Sequence, residues 1–152
     1  MAAGAKRPDF MELAFAEAEA AGARGEVPIG AVVALGDVAV SRAGNRTREL
    51  SDPTAHAEML AIREAASGLT AERLGGADLY VTLEPCAMCA GAISFARIRR
   101  LYFGATDAKG GAVVSGVRFF ASPACHHAPD VYPGIGEARS AALLKTFFRD
   151  RR

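Results

Sequence analysis

The stretch DLYVTLEPCAMCAGAISFARIRRLYFGA, residues 78–105, decides the fold because its hydrophobic pattern changes twice. DLYVTL (78–83) is a short apolar run that predicts a buried strand, and CAMCAGAISFARI (86–98) predicts a helix. RLYFGA (100–105) then predicts a second strand. A helix between two strands is typical of α/β proteins, in which helices cover a sheet.

The segment before this stretch begins with an amphipathic helix. DFMELAFAEAEAAGARG (9–25) places five apolar side chains on one helical face: Met11, Ala14, Phe15, Ala18 and Ala21. Asp9 is the expected N-cap, and Gly22 or Gly25 the expected end of the helix. Two apolar runs then flank Gly36-Asp37, which predicts a hairpin.

A polar segment, 44–55, is expected to form a loop before the next helix. Helical spacing returns in HAEMLAIREAASG (56–68), where the apolar positions are Met59, Leu60 or Ile62, Ala65 and Ala66. Asp52, Pro53 and Thr54 are residue types expected at a helix start.

The C-terminal third has a weaker pattern. Residues 106–136 show no clear period, and GEARSAALLKTFFRDRR (136–152) predicts a last helix. The order α-β-β-α-β-α-β-…-α indicates one α/β domain spanning residues 1–152. No internal repeat or linker interrupts it.

Composition excludes several classes of protein. Three cysteines among 152 residues argue against a disulfide framework, and no apolar run is long enough to span a bilayer. The N-terminus lacks the apolar region of a secretory signal, so we expect a cytoplasmic protein without membrane contact. Since the net charge is +1, any nucleic acid must be bound by a local patch. The candidate cations are Arg97, Arg99, Arg100, Lys145, Arg149, Arg151 and Arg152, and ordinary solvated surface explains them equally well.

Cys86 and Cys89 are candidate metal ligands. Positions i and i+3 share one helical face, thiolates bind Zn²⁺ well, and Pro85 suits a first helical turn. A helix start also lowers thiol pKa. His56 opens another predicted helix, and two consecutive strand–helix units would bring both helix starts to one edge of the sheet. Three protein ligands with an open fourth position is the arrangement of catalytic zinc.

Glu58 lies two residues after His56 and is a candidate proton-transfer group. Zinc held by two thiolates is formally neutral and polarises its water less than zinc held by three histidines, so a nearby base should help. Two alternatives to catalysis remain open. Cys86 and Cys89 can form a redox couple, or Cys125 with His126 or His127 can complete a structural zinc site of four protein ligands.

The chain resembles the zinc-dependent nucleobase deaminases. His56-Ala57-Glu58 and Pro85-Cys86-Ala87-Met88-Cys89 match the signature H-x-E…P-C-x-x-C. The resemblance begins near residue 8 and is closest to the bacterial tRNA adenosine deaminases. The matching segments are EVPIGAVV (26–33), GNR (44–46), DPTAHAEM (52–59), YVTLEPCAMCAGAI (80–93), RI (97–98), FGATDAKGGA (103–112) and FFRDRR (147–152).

The resemblance implies a three-layer α/β/α fold with a central mixed five-stranded sheet, in a homodimer. It implies one Zn²⁺ per subunit on His56, Cys86 and Cys89, with Glu58 as proton shuttle. The activated water would attack C6 of adenine, expel ammonia and leave inosine at the wobble position of a tRNA anticodon loop. The implied substrate contacts are Asn45, the backbone of Ala57, Asp107, Lys109 and Phe148.

Residues 113–130, with CHH at 125–127, depart from the usual text of this family. This departure leaves the zinc chemistry untouched but concerns how RNA is held. For Phe119 and Phe120 we expect core packing. Deamination of a free nucleobase or nucleoside, such as cytosine or guanine, is therefore the alternative function. A zinc-stapled binding module without catalysis is the third.

Overall fold

The structure, a computed structural model, describes residues 8–151 and is built around a five-stranded sheet. Its elements, in chain order, are α1 (Phe10–Ala23), β1 (Gly30–Leu35), β2 (Val38–Gly44), α2 (Ala57–Leu69), β3 (Asp78–Leu83), α3 (Ala87–Ala96), β4 (Arg100–Ala105), a 3₁₀ turn (Phe119–Ala121), β5 (Asp130–Tyr132) and α4 (Glu137–Arg149). The strand order is β2-β1-β3-β4-β5. The sheet is mixed, because β1 is antiparallel to β2 and β3, whereas β3–β4 and β4–β5 are parallel.

Helices cover both faces of the sheet and form three layers. Ala31 and Val33 of β1 pack with α2 and α3, and Val32 and Ala34 pack with α1 and Leu143 of α4. This alternation follows from the two-residue period of a strand, and β1 is apolar throughout because both of its faces are buried. The expected three-layer α/β/α fold with a mixed five-stranded sheet is confirmed.

The β3–α3–β4 unit agrees with its sequence pattern. Both strands have their predicted bounds, 78–83 and 100–105, and they pair in parallel. Pro85, however, precedes the N-cap Cys86 and does not lie in the first turn of α3. The proline then restricts the chain leading into the helix and not the helix itself.

The N-terminal helix and the hairpin also form as expected. Asp9 is the N-cap of α1, and its carboxylate accepts a hydrogen bond from the backbone N–H of Glu12 at 3.1 Å. Gly25, at φ 88°, follows the C-cap Arg24 and ends the helix. Gly36 adopts φ 61° in the turn between β1 and β2.

The start and the buried face of α2 differ from prediction. Its N-cap is His56, whereas Asp52 accepts hydrogen bonds from the N–H and hydroxyl of Thr54 in a turn further upstream. These hydrogen bonds lower the pKa of Asp52. The buried positions are Ala57, Glu58, Ala61 and Ala65, so of the predicted apolar positions only Ala65 is fully buried. Small alanines allow α2 to lie close to the sheet, and a pattern based on large apolar residues misses this.

Residues 106–136 contain β5, a strand that the hydrophobic pattern of the sequence did not predict. Three residues are too few to establish an alternation, and β5 is defined by its parallel pairing with β4. Phe120, at the 3₁₀ turn, packs against the main core as expected, whereas Phe119 is not among the residues of that core. The two rings meet edge to face with centroids 6.1 Å apart.

The candidate basic patches are only partly available. Nε and Nη2 of Arg99 each donate a hydrogen bond of 3.1 Å to the buried carboxylate of Asp78. These bonds raise the pKa of Arg99. Arg97 ends α3 with φ 63° and donates to the carbonyl of Ser94. Arg151 lies over the ring of Phe147, and Arg152 is outside the described residues. In the range 8–151, no helix is both long and apolar enough to cross a membrane.

The topology directs three loops to one edge of the sheet. Because β1 is antiparallel to both β2 and β3, the carboxyl ends of β2, β3 and β4 lie at the same edge. The segments that follow these strands are 45–56, 84–86 and 106–118. This edge is where α/β proteins most often bind ligands.

Candidate metal centre and substrate cavity

Two helix N-caps meet at this edge. His56 caps α2 and Cys86 caps α3, both with extended backbone and neither with a side-chain capping hydrogen bond. An N-cap is normally Ser, Thr, Asp or Asn, whose oxygen binds an unpaired N–H of the first turn. Here both side chains leave their helix and converge on each other.

The imidazole of His56 is equally close to the two cysteine sulfurs, and the three atoms form a compact triangle. Its Nδ1 is 3.6 Å from Sγ of Cys86 and 3.6 Å from Sγ of Cys89. The three possible ligand atoms are all within 4.8 Å of one another. The structure thus brings together the three residues that the sequence singled out, although 30 residues separate His56 from Cys86.

The two thiols differ strongly in acidity. A hydrogen bond from the Cys89 thiol lowers the pKa of Cys86 to about 4. The same hydrogen bond, with burial, raises the pKa of Cys89. Hydrogen bonding to Cys86 also raises the pKa of His56.

Glu58 adjoins this group from the first turn of α2. Its side chain is only 5% exposed, and burial raises its pKa to about 6. A carboxyl group with such a pKa changes protonation state close to neutral pH, which suits a general acid and base.

The donor atoms fit zinc. One imidazole nitrogen and two sulfurs are ligands that Zn²⁺ favours, and three protein ligands is the number typical of catalytic zinc sites. Cys125 does not complete a fourth position, because its Sγ contacts Ser94 and the carbonyl of His127. His127 Nε2 is bonded to the carbonyl of Ile98, and residues 8–151 contain no metal-binding group that includes Cys125, His126 or His127.

A cavity of about 230 Å³ opens beside Glu58. Its lining residues are Val27, Ile29, Asn45, Thr47, His56, Ala57 and Glu58. Asn45 is buried and its side-chain amide donates to the hydroxyl of Thr47 at 3.3 Å. The backbone N–H of Ala57 belongs to the first turn of α2 and therefore has no partner within the helix.

A second cavity, of about 380 Å³, adjoins the first and shares Val27 and Ile29 with it. Asp107, Lys109 and Phe148 all line this second cavity. The five residues singled out for substrate binding therefore lie along two neighbouring cavities. A larger cavity of about 430 Å³ lies between α1 and α4 and contains none of these residues.

Sequence reasoning missed two buried carboxylates that organise the loops. Glu26 accepts hydrogen bonds from the backbone N–H groups of Arg48 and Glu49, in the loop that carries Asn45. Glu84 accepts hydrogen bonds from the loop that carries Asp107. Burial alone would raise the pKa of Glu84, but hydrogen bonds from Asp107 and Ser115 outweigh it and lower that pKa. A signal was present, since each acid lies close to a proline in an apolar segment, EVPIG and LEPC.

The chain matches a known family and known relatives. The family described as "Cytidine and deoxycytidylate deaminase zinc-binding region" matches residues 5–105. The tRNA-specific adenosine deaminase of Agrobacterium fabrum is 66% identical over 148 residues, which cover 97% of each chain. The tRNA-specific adenosine deaminase of Bacillus subtilis is 42% identical over 143 residues, covering 94% of this chain and 89% of that one.

Solved structures give the same picture. A structure from a study of A-to-I editing by tRNA:A34 deaminases at the wobble position of transfer RNA superposes with a TM-score of 0.88 and 68% identity. It covers 89% of this chain and 98% of its own. A guanine deaminase from Nitrosomonas europaea has a TM-score of 0.77 at 22% identity, over 91% of this chain and 82% of that one, which shows a common fold alone.

Proposed function

The chain belongs to the cytidine and deoxycytidylate deaminase family and, within it, to the tRNA-specific adenosine deaminases, and on that premise we propose that it converts adenosine to inosine at the wobble position of a tRNA anticodon loop. The reaction is hydrolytic removal of an amino group from the base. The observation that carries this function is the buried Glu58, which adjoins the group of His56, Cys86 and Cys89 and lines the same cavity as Asn45.

His56 Nδ1 and the sulfurs of Cys86 and Cys89 would hold one Zn²⁺ per subunit. Bound there, zinc supplies a Lewis acid that makes water a nucleophile near neutral pH. Both sulfurs lie at the start of α3, where unpaired N–H groups and the helix dipole favour negative charge on them.

Glu58 holds and moves the proton. With a pKa raised to about 6 by burial, its carboxylate can accept a proton from the attacking water and return it to the departing amino group. The low exposure of Glu58 keeps bulk water from competing for that proton.

The two adjoining cavities would bind different parts of the substrate. Asn45 and the unpaired N–H of Ala57 would contact the target nucleoside in the cavity beside Glu58. Asp107, Lys109 and Phe148 would contact the flanking nucleotides in the second cavity. An aromatic ring for base stacking and a lysine for phosphate suit single-stranded RNA.

The functional unit is a homodimer. Helix α3 carries no charged residue between Ala87 and Ala96, and Phe95 on its surface is 71% exposed. Met88, Gly91 and Ala92 share the helical face of Phe95 and are partly exposed. An apolar face of this kind favours protein–protein contact. A second copy of the chain would cover this face. Phe95→Lys should then shift the sedimentation coefficient from that of a dimer to that of a monomer, whereas Leu69→Lys on α2 should leave it unchanged.

The whole chain forms one catalytic domain, and tRNA as substrate is consistent with a cytoplasmic location. Support for one domain comes from α4, which packs on the sheet and lines the second cavity. The Ser140 hydroxyl in α4 also donates to the carbonyl of Thr82 in β3.

The deciding experiment is deamination of an anticodon stem-loop with adenosine at the wobble position by the zinc-loaded chain. Inosine should form in the stem-loop, with no deamination of free adenosine, cytosine or guanine in parallel reactions. An intact stem-loop together with a deaminated free base would replace the tRNA function by nucleobase deamination.

A further inference from the structure

Glu84 is a buried carboxylate to which the proposed mechanism assigns no role. It follows the last residue of β3, precedes Pro85, and is 3% exposed. Its own backbone N–H donates to the carbonyl of Ala105 at the end of β4, at 2.9 Å. Glu84 is therefore held between two parallel strands at the edge of the sheet where the candidate site lies.

Five hydrogen bonds from one loop converge on this carboxylate. Oε1 accepts from the backbone N–H of Asp107 at 2.8 Å and from the hydroxyl of Ser115 at 2.9 Å. Oε2 accepts from the backbone N–H groups of Val113, Val114 and Ser115 at 2.9 to 3.0 Å. The loop 107–115 thus wraps around one carboxylate and is fixed at both of its ends.

Packing around the carboxylate is equally specific. A Cβ at Gly111 would lie 2.4 Å from Cδ of Glu84, so only glycine fits there without displacement. The N–H of Ala112 donates to the carbonyl of Pro85 at 2.9 Å, which ties the same loop to the residue before Cys86. Loop 107–115 is consequently attached to the segment that carries the candidate metal ligand.

We propose that Glu84 is a positioning residue that holds the substrate-contacting loop 107–115, with Asp107 and Lys109, in register with the metal group. This inference rests on the proposed function, because it assigns Asp107 and Lys109 to the bound RNA. Glu84 itself contacts neither cavity, and it acts through the loop.

A glutamine at position 84 tests this assignment with little change of shape. A carboxylate offers acceptors on both oxygens, whereas an amide replaces one of them by an NH₂ donor. If the NH₂ group takes the place of Oε1, the N–H of Asp107 faces a donor in place of an acceptor. If it takes the place of Oε2, the N–H groups of Val113, Val114 and Ser115 do so. Loss of a hydrogen bond to a buried charged group should raise the population of the detached loop by a factor of about ten or more.

Asp78 provides a matched control at the opposite end of β3. It is also a buried carboxylate, but it pairs with Arg99 and lies at the far edge of the sheet from the cavities. Asp78→Asn removes a buried charge from the same strand without touching loop 107–115. A purely structural effect of losing a β3 carboxylate should therefore appear in both variants.

The experiment combines kinetics on the anticodon stem-loop with hydrogen exchange of the zinc-loaded chain. In Glu84→Gln we expect KM to rise about tenfold, kcat to change less than about threefold, and zinc content to stay constant. The amides of Asp107, Val113, Val114 and Ser115 should exchange about ten times faster. Asp78→Asn should lower the melting temperature and leave KM and these four amides unchanged.

The outcomes separate this inference from the proposed function. Unchanged KM and unchanged exchange in Glu84→Gln, with an active wild-type chain, would overturn the positioning role alone. Equal KM effects in Glu84→Gln and Asp78→Asn would overturn it too. A wild-type chain that leaves the stem-loop unchanged would overturn the proposed function and this inference with it. If Glu84→Gln fails to fold, Ser115→Ala removes one of the five bonds and should raise KM about twofold to threefold with constant kcat.

Discussion

His56 and Cys86 occupy positions at which a helix normally has a capping side chain. An N-cap without a side-chain hydrogen bond lowers the stability of its helix by about 1 kcal/mol. Both α2 and α3 lack this hydrogen bond. The lost caps free both side chains to approach each other, with Nδ1 3.6 Å from the Cys86 sulfur. A metal ion bound by these side chains would more than offset this cost.

Glu58 should be essential for turnover but not for zinc. Glu58→Gln keeps the size of the side chain but removes the proton acceptor, so kcat on the stem-loop should fall by about 10²- to 10⁴-fold. Bound zinc, measured by atomic emission, should not change. Glu64→Gln makes the same change at an exposed position of α2 and should retain wild-type turnover. Wild-type kcat in Glu58→Gln would assign the proton transfer to another group.

Cys86 and Cys89 should be required for zinc binding, and Cys125 should not. The wild-type chain should carry about one zinc ion, and Cys86→Ser or Cys89→Ser should lose most of it because a hydroxyl is a poor replacement for a thiolate ligand. Cys125→Ser should keep its zinc, since Cys125 contacts Ser94 and not the metal group. Zinc loss in Cys125→Ser would instead support the structural zinc site.

At the scale of the elements, a pair of glycines sets the position of α1. Gly30 of β1 and Gly44 of β2 are register partners at the end of the hairpin. A Cβ on Gly30 would lie 2.0 Å from the carbonyl oxygen of Ala14, and one on Gly44 would lie 2.7 Å from that of Glu17. The backbone of α1 therefore lies directly on the hairpin.

Gly30→Ala should accordingly lower the free energy of unfolding by about 3 kcal/mol or more, because the backbone of α1 must move. Gly68→Ala is the matched change, since a Cβ at this position of α2 meets no atom within 4 Å. It should raise the free energy of unfolding by about 0.5 to 1 kcal/mol, through higher helix propensity. Urea unfolding followed by circular dichroism measures both. Equal effects in the two variants would contradict the close packing at Gly30.

At the scale of the whole molecule, the charge distribution determines how RNA is attracted. The net charge is only +1, and Arg99 is neutralised by Asp78. Binding of a polyanion must therefore come from a few cations near the cavities. Lys109 lines the second cavity and is exposed.

Lys109→Ala should weaken binding of the stem-loop and make it less dependent on salt. Each lost phosphate contact reduces the slope of log K against log salt by about 1. Fluorescence anisotropy at several salt concentrations measures this slope. Arg73→Ala removes an exposed cation before β3, at the opposite edge of the sheet, and should leave the slope unchanged. An identical slope in Lys109→Ala would place the phosphates elsewhere.

Much of the fold was predictable from local pattern. The bounds of β3 and β4, the N-cap Asp9 and the turn at Gly36 all agree with the structure, because each depends on residues close in sequence. The buried face of α2 was not predictable from large apolar residues, because the sheet is approached through alanines and Glu58. Likewise, β5 exists only through its pairing with β4.

The sequence by itself determined the order of the elements other than β5, and the residue types available for chemistry, since hydrophobic periodicity and the Cys86–Cys89 spacing are local properties. Only the tertiary structure decided that His56 lies 3.6 Å from both sulfurs and that Glu58 is buried beside them. It alone assigned five donors of loop 107–115 to Glu84. The contacts of His56 with the sulfurs and of Glu84 with the loop join residues 23 to 33 positions apart. They follow from the common direction of β2, β3 and β4, which chain order does not specify.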